Sequence, residues 1–388
     1  RADPTSDVST NMAHIRGQYK TDLDESNTKL NAVREEYKRY KKRSPPPDFS
    51  DVIDFENSST FSGRVREINI SKNFDDQSFQ CHYSGLLEAA KWKVFEIVSC
   101  PGFIFIINPF KRGVQHYFVQ RSLKNFPCKP NATNLVVHND IDLEEGQSFW
   151  EYCVKSATPG ISKKLRWAHL GYKFEYNNVK YEPDVYYGFP KDLANVTCHI
   201  ATALGFPDYK PESGVVNYYP LGSSMGGHVD KYENDLSQPL VSISFGQSAI
   251  YLIGGKTFDI RPTALFVKSG DVIVMTGESR LAYHAVPRIV KVGSNDEPPE
   301  CLKWVSHANG DEMPLLKQSE KKCDEAANES CSVCRKYYTP SIIAERLSEF
   351  SANVKEWETF ASYLSTTRIN INVRQVHAPH EDVKLNLT

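Results

Sequence analysis

The 388-residue sequence contains no apolar run of the roughly 18–20 residues that a membrane-spanning helix needs, so no transmembrane segment is predicted. It also lacks a strong charge of either sign, because 46 basic and 48 acidic residues leave a net charge of −2. Any contact with nucleic acid must therefore come from local patches. Its nine cysteines, an odd number at uneven spacing, do not suggest a disulfide framework, which favours a reducing intracellular compartment.

A short motif in the middle of the chain places two metal-ligand residue types close together. His228 and Asp230 follow the aromatic, strand-like run 217–220, and residues i and i+2 of an extended segment face the same side. A second histidine, His284, follows downstream. Two histidines and one carboxylate are the usual ligands of a non-haem Fe(II) that must also bind a cosubstrate and oxygen. These three residues therefore predict an Fe(II) centre and hence an enzyme.

The same His-x-Asp spacing occurs twice more. His138 and Asp140 lie in an acidic, loop-like stretch, and His380 with Asp382 follows the last strand-like segment. Such a triplet is by itself more often a solvated turn than a ligand pair. The residues that follow His228 are what distinguish it from these two.

The segment 368–374 alternates β-branched apolar residues with polar or cationic ones, which predicts a strand. Most such strands turn their polar face to solvent. Two arginines and two amides in register also suit the wall of a cavity for a small dianion, because the arginine fork holds a carboxylate through two parallel hydrogen bonds. Together with the metal motif, this favours 2-oxoglutarate as cosubstrate. Asn217 and Tyr219, again at i and i+2, offer further uncharged donors from another strand.

The order of these motifs resembles the AlkB family of Fe(II)/2-oxoglutarate-dependent dioxygenases. The segments 101–110 and 165–172 are similar to the eukaryotic AlkB homologue 1 subfamily, and the resemblance runs from Arg34 to Val376. It implies that His228, Asp230 and His284 bind Fe(II), and that O2 takes part in the reaction. It further implies that Arg368 holds the distal carboxylate of 2-oxoglutarate with Tyr219 and Asn217, while Asn370 and Arg374 lie near its metal-chelating end.

The resemblance and the glycine-punctuated, β-rich stretch 214–286 predict a mainly β core within an α+β protein. The expected fold is a double-stranded β-helix, or jelly roll, with flanking helices and an N-terminal helical extension. We expect an extension with the first packing elements over residues 1–100, and a base-recognition flap with supporting helices over 101–212. The catalytic core would span 213–290 with 364–378, and an insertion, partly loop and partly helix, would span 291–363.

The substrate prediction also comes from the resemblance. It implies a nucleic acid, DNA or tRNA, whose methylated base is flipped or unpaired to reach the metal. N6-methyladenine in DNA, 1-methyladenosine in tRNA and oxidation of 5-methylcytosine all fit. Tyr232 stands where some bacterial relatives carry an acidic residue, which favours a neutral base. The candidate substrate residues are Trp150, Trp167, Tyr172, Lys173, Phe174, Glu175 and Tyr232.

Two alternatives keep the same pocket. One is the same chemistry on a protein substrate such as a histone lysine. The other is a non-catalytic reader of modified bases, which the intact metal and cosubstrate motifs oppose. We expect a monomer located in the nucleus, the mitochondrion or both, with the cytoplasm as a further option.

Two segments have open interpretations. Cys331 and Cys334 form a C-x-x-C knuckle that would hold structural zinc with Cys301 and Cys323, but the latter pair lacks that tight spacing, which favours an insertion with free thiols. The stretch 34–43 contains six basic residues in ten. It reads either as a nucleic-acid contact or nuclear signal, or as a solvated helix packed on the domain, which is the commoner outcome. The residues expected to pack that helix are Leu30, Tyr37 and Tyr40.

Overall fold

The computed structural model describes residues 31–70, 85–111, 113–156, 160–175, 178–292, 297–303 and 354–378. These residues form two antiparallel sheets that face each other, flanked by helices, so the predicted jelly-roll core is confirmed. Among them, no helix has the length and apolar character needed to cross a lipid bilayer.

The described strands are numbered in chain order. They are β1 Val65–Ile68, β2 Lys93–Ile97, β3 Phe103–Ile107, β4 Trp167–Glu175, β5 Lys180–Tyr186, β6 Ser213–Pro220, β7 Met225–His228, β8 Leu240–Gly246, β9 Ser248–Ile253, β10 Thr263–Val267, β11 Val272–Met275, β12 His284–Val290 and β13 Thr367–Arg374. The large sheet has the order β1-β2-β3-β11-β8-β13-β6-β4-β5, and the small sheet has the order β10-β9-β12-β7.

The alternation predicted for the last strand is present. β13 lies between β6 and β8 in the large sheet. Ile369, Ile371 and Val373 pack into the hydrophobic cluster on the outer face of this sheet. Because side chains alternate along a strand, Arg368 and the polar residues in phase with it face the small sheet. The space between the sheets is therefore where the polar pocket forms.

Helices cover the outer faces of both sheets. They are α1 Ala32–Lys41, α2 Val114–Lys124, α3 Asn134–Val137, α4 Phe149–Lys155, α5 Lys191–Ala203 and α6 Val354–Leu364. The apolar repeat 190–204 correctly predicted α5. The helix predicted within 340–363 is described from residue 354 onward as α6, and the rest of it lies outside the described residues.

The basic segment 34–43 is a helix packed on the domain, which is the interpretation that the sequence favoured. Asn31 caps α1, because its Oδ1 accepts a hydrogen bond from the Arg34 backbone N–H at 2.8 Å. Tyr40 is buried beside strands of the small sheet, and the Arg288 Nε–H donates to its carbonyl oxygen at 2.8 Å. Leu30 lies outside the described residues.

The predicted division of the chain into segments and the predicted zinc cysteines both stay predictions. β1 and β2 fall within 1–100, where the first packing elements were expected, and they extend the large sheet beside β3. A sheet edge needs a pairing partner, and no periodic signal in the sequence showed that these two short strands supply it. Of the four cysteines considered for zinc, Cys301 is described and exposed, and the other three lie outside the described residues.

Candidate active site

The three predicted metal ligands come together at the edge of the small sheet. β7 and β12 pair so that His228 lies directly opposite His284, and Asp230 follows two residues after β7 ends. One ligand atom from each residue lies within 4.8 Å of the other two. The Nε2 atom of His284 is 3.7 Å from Oδ2 of Asp230. A single ion can therefore be reached by all three side chains.

Hydrogen bonds orient both imidazoles for metal binding. The Nδ1 atom of His228 is 2.9 Å from the Gly226 carbonyl oxygen, and Nδ1 of His284 is 3.2 Å from the Ala282 carbonyl oxygen. A carbonyl accepts only, so each Nδ1 carries the proton and each Nε2 keeps its lone pair for a metal. Burial, assisted by His228, lowers the pKa of His284 to about 4, so its ring is neutral at physiological pH. This donor set fits Fe(II).

A ring of charged groups surrounds the Asp230 carboxylate. Burial opposes its ionisation, but Arg374 and the two histidines outweigh burial and hold its pKa well below the usual range. Arg374 contacts this carboxylate at 3.5 Å and the buried carboxylate of Glu233 at 3.1 Å. Arg280 then contacts Glu233 at 3.1 Å and donates to the Asp230 carbonyl oxygen at 3.2 Å. Asp230 is thus ionised and held from both sides.

Arg368 forms a cationic socket beside this site. Its side chain is 1% exposed, and its Nη2 donates to the Ser244 hydroxyl at 2.9 Å. Its Nε and Nη1 have no hydrogen-bond partner among the described residues. A buried guanidinium with two unpartnered nitrogen atoms is costly unless an anion completes it. The socket therefore fits a carboxylate of 2-oxoglutarate.

Gly246 and Tyr219 shape this socket. Gly246 lies opposite Arg368 in the sheet with φ +82°, and a Cβ there would approach the Thr367 carbonyl oxygen to 2.4 Å. Tyr219 is opposite Arg368 on the other side, with its ring 5.4 Å from the guanidinium carbon. Burial raises the pKa of Tyr219 to about 12, so its hydroxyl is a neutral donor.

The other predicted cosubstrate residues are on the same sheet face. Asn370 pairs with Asn217 across β13 and β6. The Asn370 amide donates to the Ser242 hydroxyl at 2.8 Å and to the Ile243 carbonyl oxygen at 3.1 Å, so its nitrogen fixes β13 to β8. Arg374 lies beside Asp230, at the metal end of the pocket, which agrees with the place implied by the resemblance.

The structure corrects the prediction for Trp150. This residue is 7% exposed and belongs to the cluster on the outer face of the large sheet. Its indole N–H donates to the Thr359 hydroxyl at 3.1 Å, and its ring packs against Phe360 and Tyr363 of the α6 region. The sheet separates it from the metal ligands. An aromatic residue near a flap is often a core anchor, and Trp150 is one.

The remaining substrate candidates lie on or beside the β4–β5 hairpin. Trp167 pairs with Asn217 and so shares the pocket face of the large sheet. Tyr172 is buried against Tyr186 and His377, each with ring centroids 4.7 Å away. Lys173 forms ion pairs with Glu175 and Glu182 at 3.3 Å.

Phe174 connects the hairpin to the metal loop. Its ring lies 5.1 Å from that of Tyr181 and 5.7 Å from that of Tyr232, which follows Asp230 by two residues. Gly171, at φ +69°, allows β4 to bend here, because a Cβ would lie 2.0 Å from the Glu212 carbonyl oxygen. The hairpin thereby places an aromatic cluster next to the metal ligands. We call Phe174, Tyr181 and Tyr232 the aromatic cluster.

Sequence reasoning missed several residues of this site. The missed residues are His169, Tyr181, Glu233, Ser244, Tyr251 and Arg280. The period-2 alternation of strands was a usable signal for His169, Ser244 and Tyr251, since each is in phase with a pocket-facing residue. Of the two other His-x-Asp triplets, His138 and Asp140 are exposed, and the one that begins at His380 lies outside the described residues.

Comparisons with known proteins agree with this geometry. A sequence profile of the 2OG-Fe(II) oxygenase superfamily matches residues 142–374. The nucleic acid dioxygenase ALKBH1 of Homo sapiens is 35% identical over 91% of this chain and 86% of that protein. The DNA N(6)-methyladenine demethylase ALKBH1A of Arabidopsis thaliana is 28% identical over 88% and 90%, respectively. The tRNA demethylase abh1 of Schizosaccharomyces pombe is 33% identical over 67% and 85%. This chain therefore belongs to the 2OG-Fe(II) oxygenase superfamily, as an ALKBH1-like dioxygenase of the AlkB family.

Proposed function

We propose that this dioxygenase oxidatively demethylates methylated bases in nucleic acid, either N6-methyladenine in DNA or 1-methyladenosine in tRNA. One observation carries the proposal: a metal triad and an anion socket lie side by side, with the aromatic cluster of the hairpin next to them. The names of two relatives support both substrates, since ALKBH1A of Arabidopsis thaliana is named a DNA N(6)-methyladenine demethylase and abh1 of Schizosaccharomyces pombe a tRNA demethylase.

The roles of this chain's residues follow from their positions. His228, Asp230 and His284 would hold Fe(II), and the Arg368 guanidinium would bind the distal carboxylate of 2-oxoglutarate. Bound iron, 2-oxoglutarate and O2 together supply the oxidation that hydroxylates a methyl carbon. A hydroxylated N-methyl group then loses formaldehyde, which leaves the unmodified base. Arg374 would keep Asp230 ionised and oriented, and Glu233 in turn holds Arg374 in place.

The aromatic cluster supplies a surface on which a flipped base can stack. Stacking on an aromatic side chain contributes about 1–3 kcal/mol per base. Tyr232 offers a neutral hydroxyl where an acidic side chain would favour a cationic base, so a neutral base such as N6-methyladenine fits well. Oxidation of 5-methylcytosine would use the same stacking surface. Trp167 provides a further aromatic group on the pocket face.

The direct test is mass spectrometry of nucleosides after the Fe(II)-loaded protein is incubated with methylated DNA and tRNA. Loss of a specific methylated nucleoside with formation of succinate is expected for the wild-type protein. His228→Ala should abolish the loss, and His138→Ala, in the exposed triplet with the same spacing, should leave it intact. Equal activity of the wild-type and His228→Ala proteins would refute the metal assignment.

The same assay separates the alternative substrates. A methylated lysine peptide is the matched competitor, and turnover of the peptide in preference to nucleic acid would replace the proposed substrate. Binding of methylated DNA without succinate formation would indicate a reader. A monomeric state and a nuclear or mitochondrial location stay predictions of the sequence.

A further inference from the structure

Tyr251 projects from the small sheet into the space between the two sheets. Along β9, Ile250 and Leu252 pack in the cluster under α1, whereas Tyr251 belongs to the cluster between the sheets. Its ring stacks parallel to that of His284, with centroids 5.8 Å apart and planes at 11°. Tyr251 is thus fixed against a metal ligand, on the wall opposite Arg368.

The buried Tyr251 hydroxyl has only a weak hydrogen-bond acceptor. The side chain is 7% exposed, and its hydroxyl points to the Met275 Sδ at 3.8 Å. A thioether is a weak acceptor, and a hydroxyl removed from water normally has a strong one. The socket around Arg368 has the same imbalance, because two of its nitrogen atoms have no acceptor among the described residues. The Tyr251 hydroxyl and the Arg368 guanidinium therefore offer more hydrogen-bond donors than the described residues around them offer acceptors.

The charges of the metal site and of the socket both affect the pKa of this hydroxyl. Burial raises the pKa of Tyr251 well above its ordinary value, Asp230 adds to the rise, and Arg368 opposes it. Burial lowers the pKa of Arg368, and Tyr251 in turn opposes that lowering. The hydroxyl is therefore a neutral donor within electrostatic reach of both the metal carboxylate and the socket.

We propose that Tyr251 is a further cosubstrate-binding residue, whose hydroxyl donates a hydrogen bond to the distal carboxylate held by Arg368. Tyr219 on β6, Arg368 on β13 and Tyr251 on β9 would then enclose that carboxylate from both sheets. This inference rests on 2-oxoglutarate being the cosubstrate of the proposed reaction. It makes Tyr251 a determinant of selectivity for dicarboxylic 2-oxo acids.

The test is calorimetric titration of the Mn(II)-loaded, full-length protein with 2-oxoglutarate and with 2-oxovalerate. The second acid keeps the metal-chelating end and carries a methyl group in place of the distal carboxylate. Tyr251→Phe removes only the hydroxyl. It should weaken 2-oxoglutarate binding by about tenfold to a hundredfold, which is the usual loss for a hydrogen bond to a charged group. Binding of 2-oxovalerate should not change.

Two variants separate binding from packing. Met275→Leu removes the sulfur acceptor and should keep the affinity for 2-oxoglutarate. Tyr218→Phe removes a hydroxyl that donates to the Ser122 carbonyl oxygen in the outer cluster, and should lower stability without changing affinity. Equal affinities of the wild-type and Tyr251→Phe proteins for 2-oxoglutarate would overturn the inference, as would an equal loss for both acids. Failure of the wild-type protein to bind 2-oxoglutarate would instead refute the proposed function itself.

Discussion

Glu233 and Arg280 form a fully buried ion pair behind the metal ligands. Oε2 of Glu233 lies 3.1 Å from Nη2 of Arg280, and each side chain is 1% exposed. The two atoms are at ion-pair distance, and Oε2 of Glu233 has no hydrogen-bond partner among the described residues. Arg280 also donates to the Asp230 carbonyl oxygen, and Glu233 accepts from Arg374, which reaches the Asp230 carboxylate. The contacts close a loop that begins and ends on one metal ligand.

Glu233→Ala is therefore expected to lower the free energy of unfolding by about 3–5 kcal/mol, because it leaves the Arg280 cation buried without its partner. Metal affinity should fall as well, since Arg374 would then pair with Asp230 alone. Urea unfolding of the metal-free protein and a Mn(II) titration measure the two effects separately.

The exposed pair of Lys256 and Glu278 is the matched control. Its atoms lie 2.8 Å apart, closer than in the buried pair, but the side chains are 49% and 71% exposed. Glu278→Ala should lower the free energy of unfolding far less than Glu233→Ala does, because water screens the charges. If Glu233→Ala and Glu278→Ala lower the free energy of unfolding by the same amount, the buried contacts around Glu233 do not hold Asp230 in place.

The sequence alone was enough to predict the position of a side chain where its residue type and the strand periodicity indicate the same place. The alternation in β13 predicted both its apolar face and the side of Arg368, and the spacing of His228 and Asp230 predicted their convergence. The ion pair of Glu233 and Arg280 gave no such signal, because only the fold brings together these two residues, which lie in separate segments between strands. The role of Trp150 could not be read either, since an aromatic side chain suits a core and a binding surface equally well.

Arg368→Met is expected to abolish the binding of 2-oxoglutarate without lowering the stability of the protein. The guanidinium is buried, and two of its nitrogen atoms have no hydrogen-bond partner among the described residues, so an apolar isostere removes a desolvation cost. The melting temperature of the variant without cosubstrate should stay the same or rise. The stabilisation that 2-oxoglutarate gives to the Mn(II)-loaded wild-type protein should disappear. Thermal unfolding with and without 2-oxoglutarate measures both.

Arg368→Lys is the informative companion variant. Lysine keeps the charge but cannot form two parallel hydrogen bonds to a carboxylate. It should therefore recover only part of the stabilisation by 2-oxoglutarate. Full recovery would mean that the socket needs a charge and not a planar fork.

His169 should make stability depend on pH. Burial, followed by the charges of Arg374 and Lys173, lowers its pKa to about 3, against about 6.5 in the unfolded chain. The unfolded state therefore binds a proton below pH 6.5 that the folded state does not yet take. The stability due to the neutral ring is complete above pH 6.5 and is lost as the pH falls towards 3.

His169→Asn keeps a polar side chain without that titration. The free energy of unfolding of the wild-type protein should fall more steeply than that of the variant between pH 7 and pH 4. His138→Asn, at an exposed position, should follow the wild-type curve. Parallel curves for wild-type and His169→Asn proteins would show that His169 already titrates as in the unfolded chain.

Substitutions of Trp150 and Phe174 should distinguish a residue that packs in the core from a residue that recognises the base. Trp150→Ala removes a ring buried against Phe360 and Tyr363, so it should lower the free energy of unfolding by about 3–5 kcal/mol. The KM of the folded fraction for methylated oligonucleotide should not change. Phe174→Ala removes a half-buried ring from the aromatic cluster, so it should cost little stability and weaken oligonucleotide binding by about 1–3 kcal/mol. Because both variants lose an aromatic side chain, the opposite result would place the base on the outer face of the large sheet, away from the metal ligands.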